Sequence, residues 1–254
     1  MSRLSGRAAI VTGGAKGIGR HYVHALADEG AQVMIADVAD GAAVADQVVA
    51  KHGQGAAESF QFDVSDEAQV QALVARSIAR FGKIDILVNN AAIFAQLPHV
   101  ALTDIDTALW DKVMAINVRG PFLMAKHVVP HMRARRYGKI INIGSGTAYK
   151  GMGNFLHYVT SKGAVTSMTR ALSRELGADG ICVNTLSPGF IMSDSVIESQ
   201  THGEATIKAV VQSRAFKRDA YPKDLLGALV FLASADSDFI TGQTIAVDGG
   251  SVNT

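Results

Sequence analysis

Tyr158 and Lys162 lie four residues apart in the stretch Asn154-Phe155-Leu156-His157-Tyr158-Val159-Thr160-Ser161-Lys162. If the stretch is helical, both side chains share one face. A phenol titrates at about 10 and is a poor base at neutral pH. A neighbouring ammonium favours the phenolate and lowers that value. The pair is therefore expected to give a proton donor or acceptor that works near neutral pH. Taken alone, the same spacing also fits a surface tyrosine and a solvated lysine on an ordinary helix. Ser145 stands thirteen residues earlier, after the apolar run Ile140-Ile141-Asn142-Ile143. A hydroxyl at such a strand end can meet a helix-borne phenol, or serve only the turn. Asn117, polar in an apolar stretch, is either a satisfied helix amide or part of the same group.

A second cluster could hold a dinucleotide. Ala8-Ala9-Ile10-Val11 reads as a short buried strand. It runs into Thr12-Gly13-Gly14-Ala15-Lys16-Gly17-Ile18-Gly19 and then a helical pattern from Tyr22. Strand, glycine turn and helix form a pyrophosphate cradle, because glycines admit the backbone and the helix N-terminus offers free N–H groups. The spacing Gly13-x-x-x-Gly17-x-Gly19 differs from the usual dinucleotide fingerprint. The next strand, Gln32 to Ala36, ends at Asp37. An acid there accepts bonds from ribose hydroxyls and repels a 2′-phosphate, which favours NAD over NADP. Lys16 pulls the other way, as a cation in the turn. Asp63-Val64 closes a third strand, Ser59 to Phe62, where Asp63 could take the adenine amino group; the cap of the following helix is assigned to Ser65.

The positioning elements alternate. Helices are expected over about 41–52, 70–81, 107–135, 157–176 and 222–232, with Pro121 loosening the long one. Further strands are expected over 84–88, 139–143, 181–186 and 244–247. Alternation of this kind predicts an α/β fold: a Rossmann-like, doubly wound, seven-stranded parallel sheet with helices on both faces, in one domain. Residues 190 to about 215 are richer in Ser and Thr and are read as a substrate lid.

The 254 residues carry a net charge of +1, so no basic field marks nucleic acid as a partner. Cys182 is the one cysteine and sits in an apolar run, which suits a core position and a reducing compartment. No apolar run approaches the ~18 residues of a membrane span. No metal-ligand cluster is expected, and a soluble, cytoplasmic protein is.

In order, Thr12-Gly13-x-x-x-Gly17-x-Gly19, Asp37, Asp63, Asn89-Asn90-Ala91, Asn117, Ser145, Tyr158-x-x-x-Lys162 and Pro188-Gly189 resemble the short-chain dehydrogenase/reductase family. The resemblance covers nearly the whole chain. It implies a homotetramer, paired through the two long helices and the last helix and strand. It implies Tyr158 as acid/base, Ser145 on the substrate oxygen, Lys162 on the phenol and the nicotinamide ribose, and Asn117 in a proton-carrying water chain. Cofactor contacts are implied at Gly13, Lys16, Gly17, Ile18, Gly19, Asp37, Asp63, Val64, Asn90, Ala91, Pro188, Gly189, Ile191 and Ser193. Ala92 replaces the family's usual glycine, Ser193 stands where threonine is common, and Asp194 has no assigned role.

The substrate pocket is expected from Ile93, Phe94, Gly146, Tyr149, Met152, Phe155 and Phe190. The tail from Phe239 to Gly250 and the stretch Leu123 to Lys126 resemble members acting on cyclic or aromatic alcohols, such as 1-phenylethanol and pyridoxal dehydrogenases. NAD-dependent oxidation of a cyclic or aryl secondary alcohol, or its reverse, is the expectation. Reduction of a 3-oxoacyl thioester on acyl carrier protein with NADPH is the alternative enzyme. A non-catalytic dinucleotide sensor is the alternative of another class, and it would not need the set Ser145, Tyr158, Lys162 and Asn117.

Overall fold

The computed structural model describes residues 2–199 and 204–252. Seven parallel strands form one sheet in the order β3-β2-β1-β4-β5-β6-β7. They are β1 (Ala8–Thr12), β2 (Gln32–Asp37), β3 (Ala57–Gln61), β4 (Ile86–Asn89), β5 (Gly138–Ile143), β6 (Ile181–Pro188) and β7 (Thr244–Val247). Between them run α1 (Gly17–Asp28), α2 (Ala42–His52), α3 (Glu67–Phe81), α4 (Thr107–Met114), α5 (Gly120–Arg135), α6 (Thr147–Lys150), α7 (Leu156–Leu176), α8 (Asp194–Ser199), α9 (Glu204–Gln212) and α10 (Lys223–Ala233). Among the described residues, no helix is long and apolar enough to cross a membrane.

The strands are apolar on both sides because helices cover both faces. Val11, Val33, Ile35, Ile86 and Val88 pack with α1, α2 and α10. Their chain neighbours Ile10, Met34 and Leu87 face the other way, toward α3 and α5. The order of successive strands reverses between β1 and β4, so the connections leaving these two parallel strands go to opposite faces and leave a crevice at their carboxyl ends.

Several boundaries differ from the expectation. The long helix over 107–135 is interrupted by a π-helical turn at Ala115–Arg119. Pro121 follows directly at the second residue of α5, in line with the local loosening expected there. The extra residue in the π-turn falls at Asn117, which is buried. Helix α3 starts at Glu67 and is capped by Asp66, not Ser65: the Asp66 carboxylate accepts from the Ala68 and Gln69 N–H groups. Ser65 instead donates to Asp63. The expected lid contains two helices, α8 and α9, while its residues 200–203 lie outside the described residues.

At the opposite, N-terminal edge of the sheet Asp85 is fully buried and accepts from the Ala8 N–H at 2.9 Å. Arg7, Lys83 and Arg135 surround it at 3.4, 3.2 and 3.7 Å. Removing one member of a buried charge group leaves the others uncompensated. Asp85→Asn is expected to lower unfolding stability by about 2–3 kcal/mol. Tm should fall by roughly 5–10 °C in a thermal scan, with turnover at low temperature unchanged.

Candidate active site

The glycine turn is built by close approach. Gly13 has φ +64°, and a Cβ on Gly19 would lie 1.9 Å from the Gly13 carbonyl oxygen, which no side chain survives. The turn is braced from β4. Thr12 Oγ1 accepts from the Asn90 and Ala91 N–H groups, each at 3.0 Å. Asn90 Nδ2 donates to the carbonyls of Thr12 and Gly13, each at 2.9 Å. Asn90 thus holds the turn rather than pointing a free amide at a ligand. The Asp37 carboxylate accepts from the Ala15 and Ala39 N–H groups at 3.0 Å each, which fixes it at the end of β2.

A cavity of about 900 Å³ runs from this end past the sheet to Ser145 and Tyr158. Gly13, Lys16, Gly17, Ile18, Gly19, Asp37, Asp63, Val64, Asn90, Ala91, Pro188, Gly189, Ile191 and Ser193 all line it. So do Ile93, Phe94, Gly146, Met152, Phe155 and Phe190. Tyr149 does not. Its hydroxyl is buried without a hydrogen-bond partner among the described residues, because α6 turns that face away from the cavity. Leu97, Leu109, Lys112 and Ile116 line the cavity beyond the expected set, and Val196 and Arg214 line it from the segment read as a lid. Leu109, Lys112 and Ile116 stand at helical spacing in the sequence; Arg214 and Val196 carry no local signal.

The cradle fits a nicotinamide dinucleotide: a side-chain-free turn, a fixed carboxylate at the second strand and a cavity long enough to continue to the phenol. No group of three or more His, Cys, Asp or Glu side chains that could hold a metal occurs among the described residues.

Helix α7 carries the reactive groups onto the sheet. Asn142 donates to Thr169 Oγ1 at 2.9 Å, Thr185 donates to the same oxygen at 2.8 Å, and Asn89 donates to Asn142 at 2.8 Å. This buried chain ties β4, β5 and β6 to α7. Lys162 Nζ donates to the Ile143 carbonyl at 2.8 Å and lies 5.7 Å from the centre of the Tyr158 ring. Asn117 accepts from the Ile93 N–H at 2.8 Å and donates to Ile93 O and Ser161 Oγ, each at 3.2 Å. Phe94 and Phe155 flank the Tyr158 ring at 4.9 and 5.1 Å between centroids.

That aromatic box overturns one expectation. Burial drives the Tyr158 phenol well above its ordinary value, and the hydrogen bond from Ser145 offsets this only in part. Burial also pulls Lys162 down to about 8. The ammonium one turn away does not make the phenol acidic here. Desolvation opposes charge on both groups.

Asp194, unassigned from sequence, forms an ion pair with Arg20. It ties the start of α8 to α1, and Ser195 Oγ lies 2.9 Å from where a Gly17 Cβ would stand. The start of α8 thus lies against the glycine turn.

A family model described as enoyl-(acyl carrier protein) reductase matches residues 13–252. Galactitol 2-dehydrogenase of Agrobacterium fabrum is 40% identical over 258 residues, covering 98% of both chains. The chain belongs to the short-chain dehydrogenase/reductase family. Cis-4-hydroxycyclohexanecarboxylate dehydrogenase of Sinomonas cyclohexanicum is 37% identical over 244 residues, covering 96% of both chains. The crystal structure of levodione reductase superposes with a TM-score of 0.92 at 31% identity, covering 97% of this chain and 98% of that one. This member of the short-chain family is an oxidoreductase of CH–OH groups that uses a nicotinamide dinucleotide.

The depressed Lys162 value has a measurable consequence. A lysine held at about 8 rather than its ordinary 10.5 is protonated more in the unfolded chain across that interval. Stability from this group therefore rises with pH between about 8 and 10.5. Lys162→Met lacks the effect. From pH 7 to pH 11 the stability difference should shift toward the native chain by about 3 kcal/mol, measured by urea unfolding of both proteins.

Proposed function

We propose that the protein oxidises a secondary alcohol on a cyclic or aryl framework with NAD⁺, or reduces the matching ketone with NADH. The observation that carries the reading is Tyr158, boxed by Phe94 and Phe155, with Ser145 and Lys162 beside it on an apolar wall. Flat rings suit such a wall, because aromatic faces pack best against planar or chair-shaped partners. The name of the Sinomonas relative specifies a ring-borne hydroxyl; that of the Agrobacterium relative specifies a polyol.

Each residue then has a role. Tyr158 takes the hydroxyl proton in oxidation and returns it in reduction. Ser145 donates to the substrate oxygen and holds it at the phenol. The Lys162 ammonium, close beneath the ring, stabilises the phenolate as it forms. Asn117 steadies the Ile93 segment and Ser161, and supports the water chain that carries the proton out. The nicotinamide, when bound, supplies the hydride acceptor or donor at C4. Asp37 favours the unphosphorylated ribose, since two like charges in a half-closed site are costly. Lys16 is the one feature favouring the phosphorylated cofactor and, with it, the NADPH-dependent thioester reductase. The segment 190 to about 215 acts as the lid, with Arg20–Asp194 as its fastening.

The test is a panel of cyclic and aryl secondary alcohols with NAD⁺ and NADP⁺. NAD⁺ should be preferred in kcat/KM by at least tenfold, and Asp37→Asn should narrow that preference. Tyr158→Phe should lose at least a thousandfold in kcat while still binding NADH. Turnover of acyl carrier protein thioesters with NADPH, and none of the ring alcohols, would overturn the reading.

We also infer a homotetramer, in a cytoplasmic setting. Phe122 on α5, Leu156 at the start of α7 and Phe239 before β7 are 50%, 39% and 104% exposed. Apolar side chains left open on the helices and strand expected to pair are most simply covered by other copies. Sedimentation should give about 107 kDa, four copies of 26.7 kDa. A monomer would refute the assembly.

A further inference from the structure

The cavity is electrically lopsided. The glycine-turn end carries the carboxylates of Asp37 and Asp63 with one cation, Lys16, whereas Lys112, Lys150 and Arg214 line the cavity elsewhere with one carboxylate, Asp248. None of these three cations makes an ion pair among the described residues. Arg214 is only 3% exposed. Its guanidinium donates to the carbonyls of Arg218 and Phe190, and its Nε has no acceptor. Neutral carbonyls satisfy hydrogen bonds but leave the charge unbalanced, and a buried unbalanced charge is costly.

The single carboxylate on that wall, Asp248, offsets only one of the charges of Lys150 and Arg214. Asp248 is buried, and its oxygens accept from the Gly250, Ser251 and Val252 N–H groups. Lys150 stands beside it at the end of α6. Its Nζ donates to Ser213 Oγ at 3.1 Å and to Ser251 Oγ. An ammonium has three donors, so one remains for a ligand. Ser213 is the chain neighbour of Arg214, and the Arg214 side chain lies 3.4 Å from where a Cβ on Gly249 would stand. The two cations therefore lie close together on the wall of the cavity that also holds Ser145, Tyr158, Met152 and Phe155.

We propose that the substrate carries a carboxylate at the end remote from its reacting hydroxyl, held by the Lys150 ammonium in the field of Arg214. The substrate class is a hydroxy acid in which a ring separates hydroxyl and carboxylate. This rests on the secondary-alcohol reading above and refines it. Charge in a partly enclosed cavity acts more strongly than in water, so the neutral analogue is discriminated against.

The experiment compares 3- and 4-hydroxycyclohexanecarboxylate with the size-matched methylcyclohexanols, using NAD⁺, the native protein, Lys150→Met and Arg214→Met. Binding of cyclohexanecarboxylate to the NADH complex is measured by calorimetry in parallel. The hydroxy acids should be preferred in kcat/KM by at least tenfold in the native protein. Lys150→Met should cut that ratio at least fivefold and weaken cyclohexanecarboxylate by a similar factor. Arg214→Met should do the same if it folds, and Lys150→Met decides the matter if it does not. Equal or poorer turnover of the acids, or a ratio unmoved in Lys150→Met, overturns the proposal and leaves the secondary-alcohol reading standing. Binding that depends on Lys150 without turnover of any ring alcohol upholds the anion site and sinks that reading. Neither binding nor turnover sinks both.

Discussion

Desolvation of one phenol and one ammonium is the constraint on which the site depends. Tyr158 and Lys162 are driven out of water by the aromatic ring pair above and the sheet below. Neither group holds its charge comfortably there.

The rest of the fold serves that burial. A helix cannot be pressed onto a sheet with polar groups facing it unless those groups find partners. Asn89, Asn142, Thr169 and Thr185 supply them, locking α7 to three strands beneath the phenol. The π-turn at Ala115–Arg119 rotates Asn117 inward, so that it pins Ile93 and Ser161 at once. On the other side, Asn90 and Thr12 stiffen the glycine turn. The cofactor cradle and the proton-transfer group thus sit on a common rigid frame. The segment carrying α8 reaches them by a surface ion pair between Arg20 and Asp194, which is cheap to break.

Where reading and structure part, the cause is burial or a close rival. Helical spacing correctly puts Tyr158 and Lys162 on one face, but spacing says nothing of how dry that face is. Dryness reverses the sign of the expected shift. Ser65 and Asp66 are both good caps, and Asp66 won because its carboxylate reaches two N–H groups while Ser65 is taken by Asp63. Tyr149 lies within a pocket-forming segment, yet one turn of helix puts Thr147 and Lys150 on the cavity face and Tyr149 off it.

From the residues in order, the alternation of elements, the glycine turn, the acid at the end of β2 and the placing of Tyr158 and Lys162 on one helix face are all legible, because each depends on local periodicity or on residue type at a fixed spacing. The strand order, the polar chain under α7, the Arg20–Asp194 tie and the cationic wall of Lys150 and Arg214 are not. These join residues from 16 to 174 positions apart. Long-range partners leave no period in the sequence, and charge at the far end of a cavity exists only once the chain has folded around it.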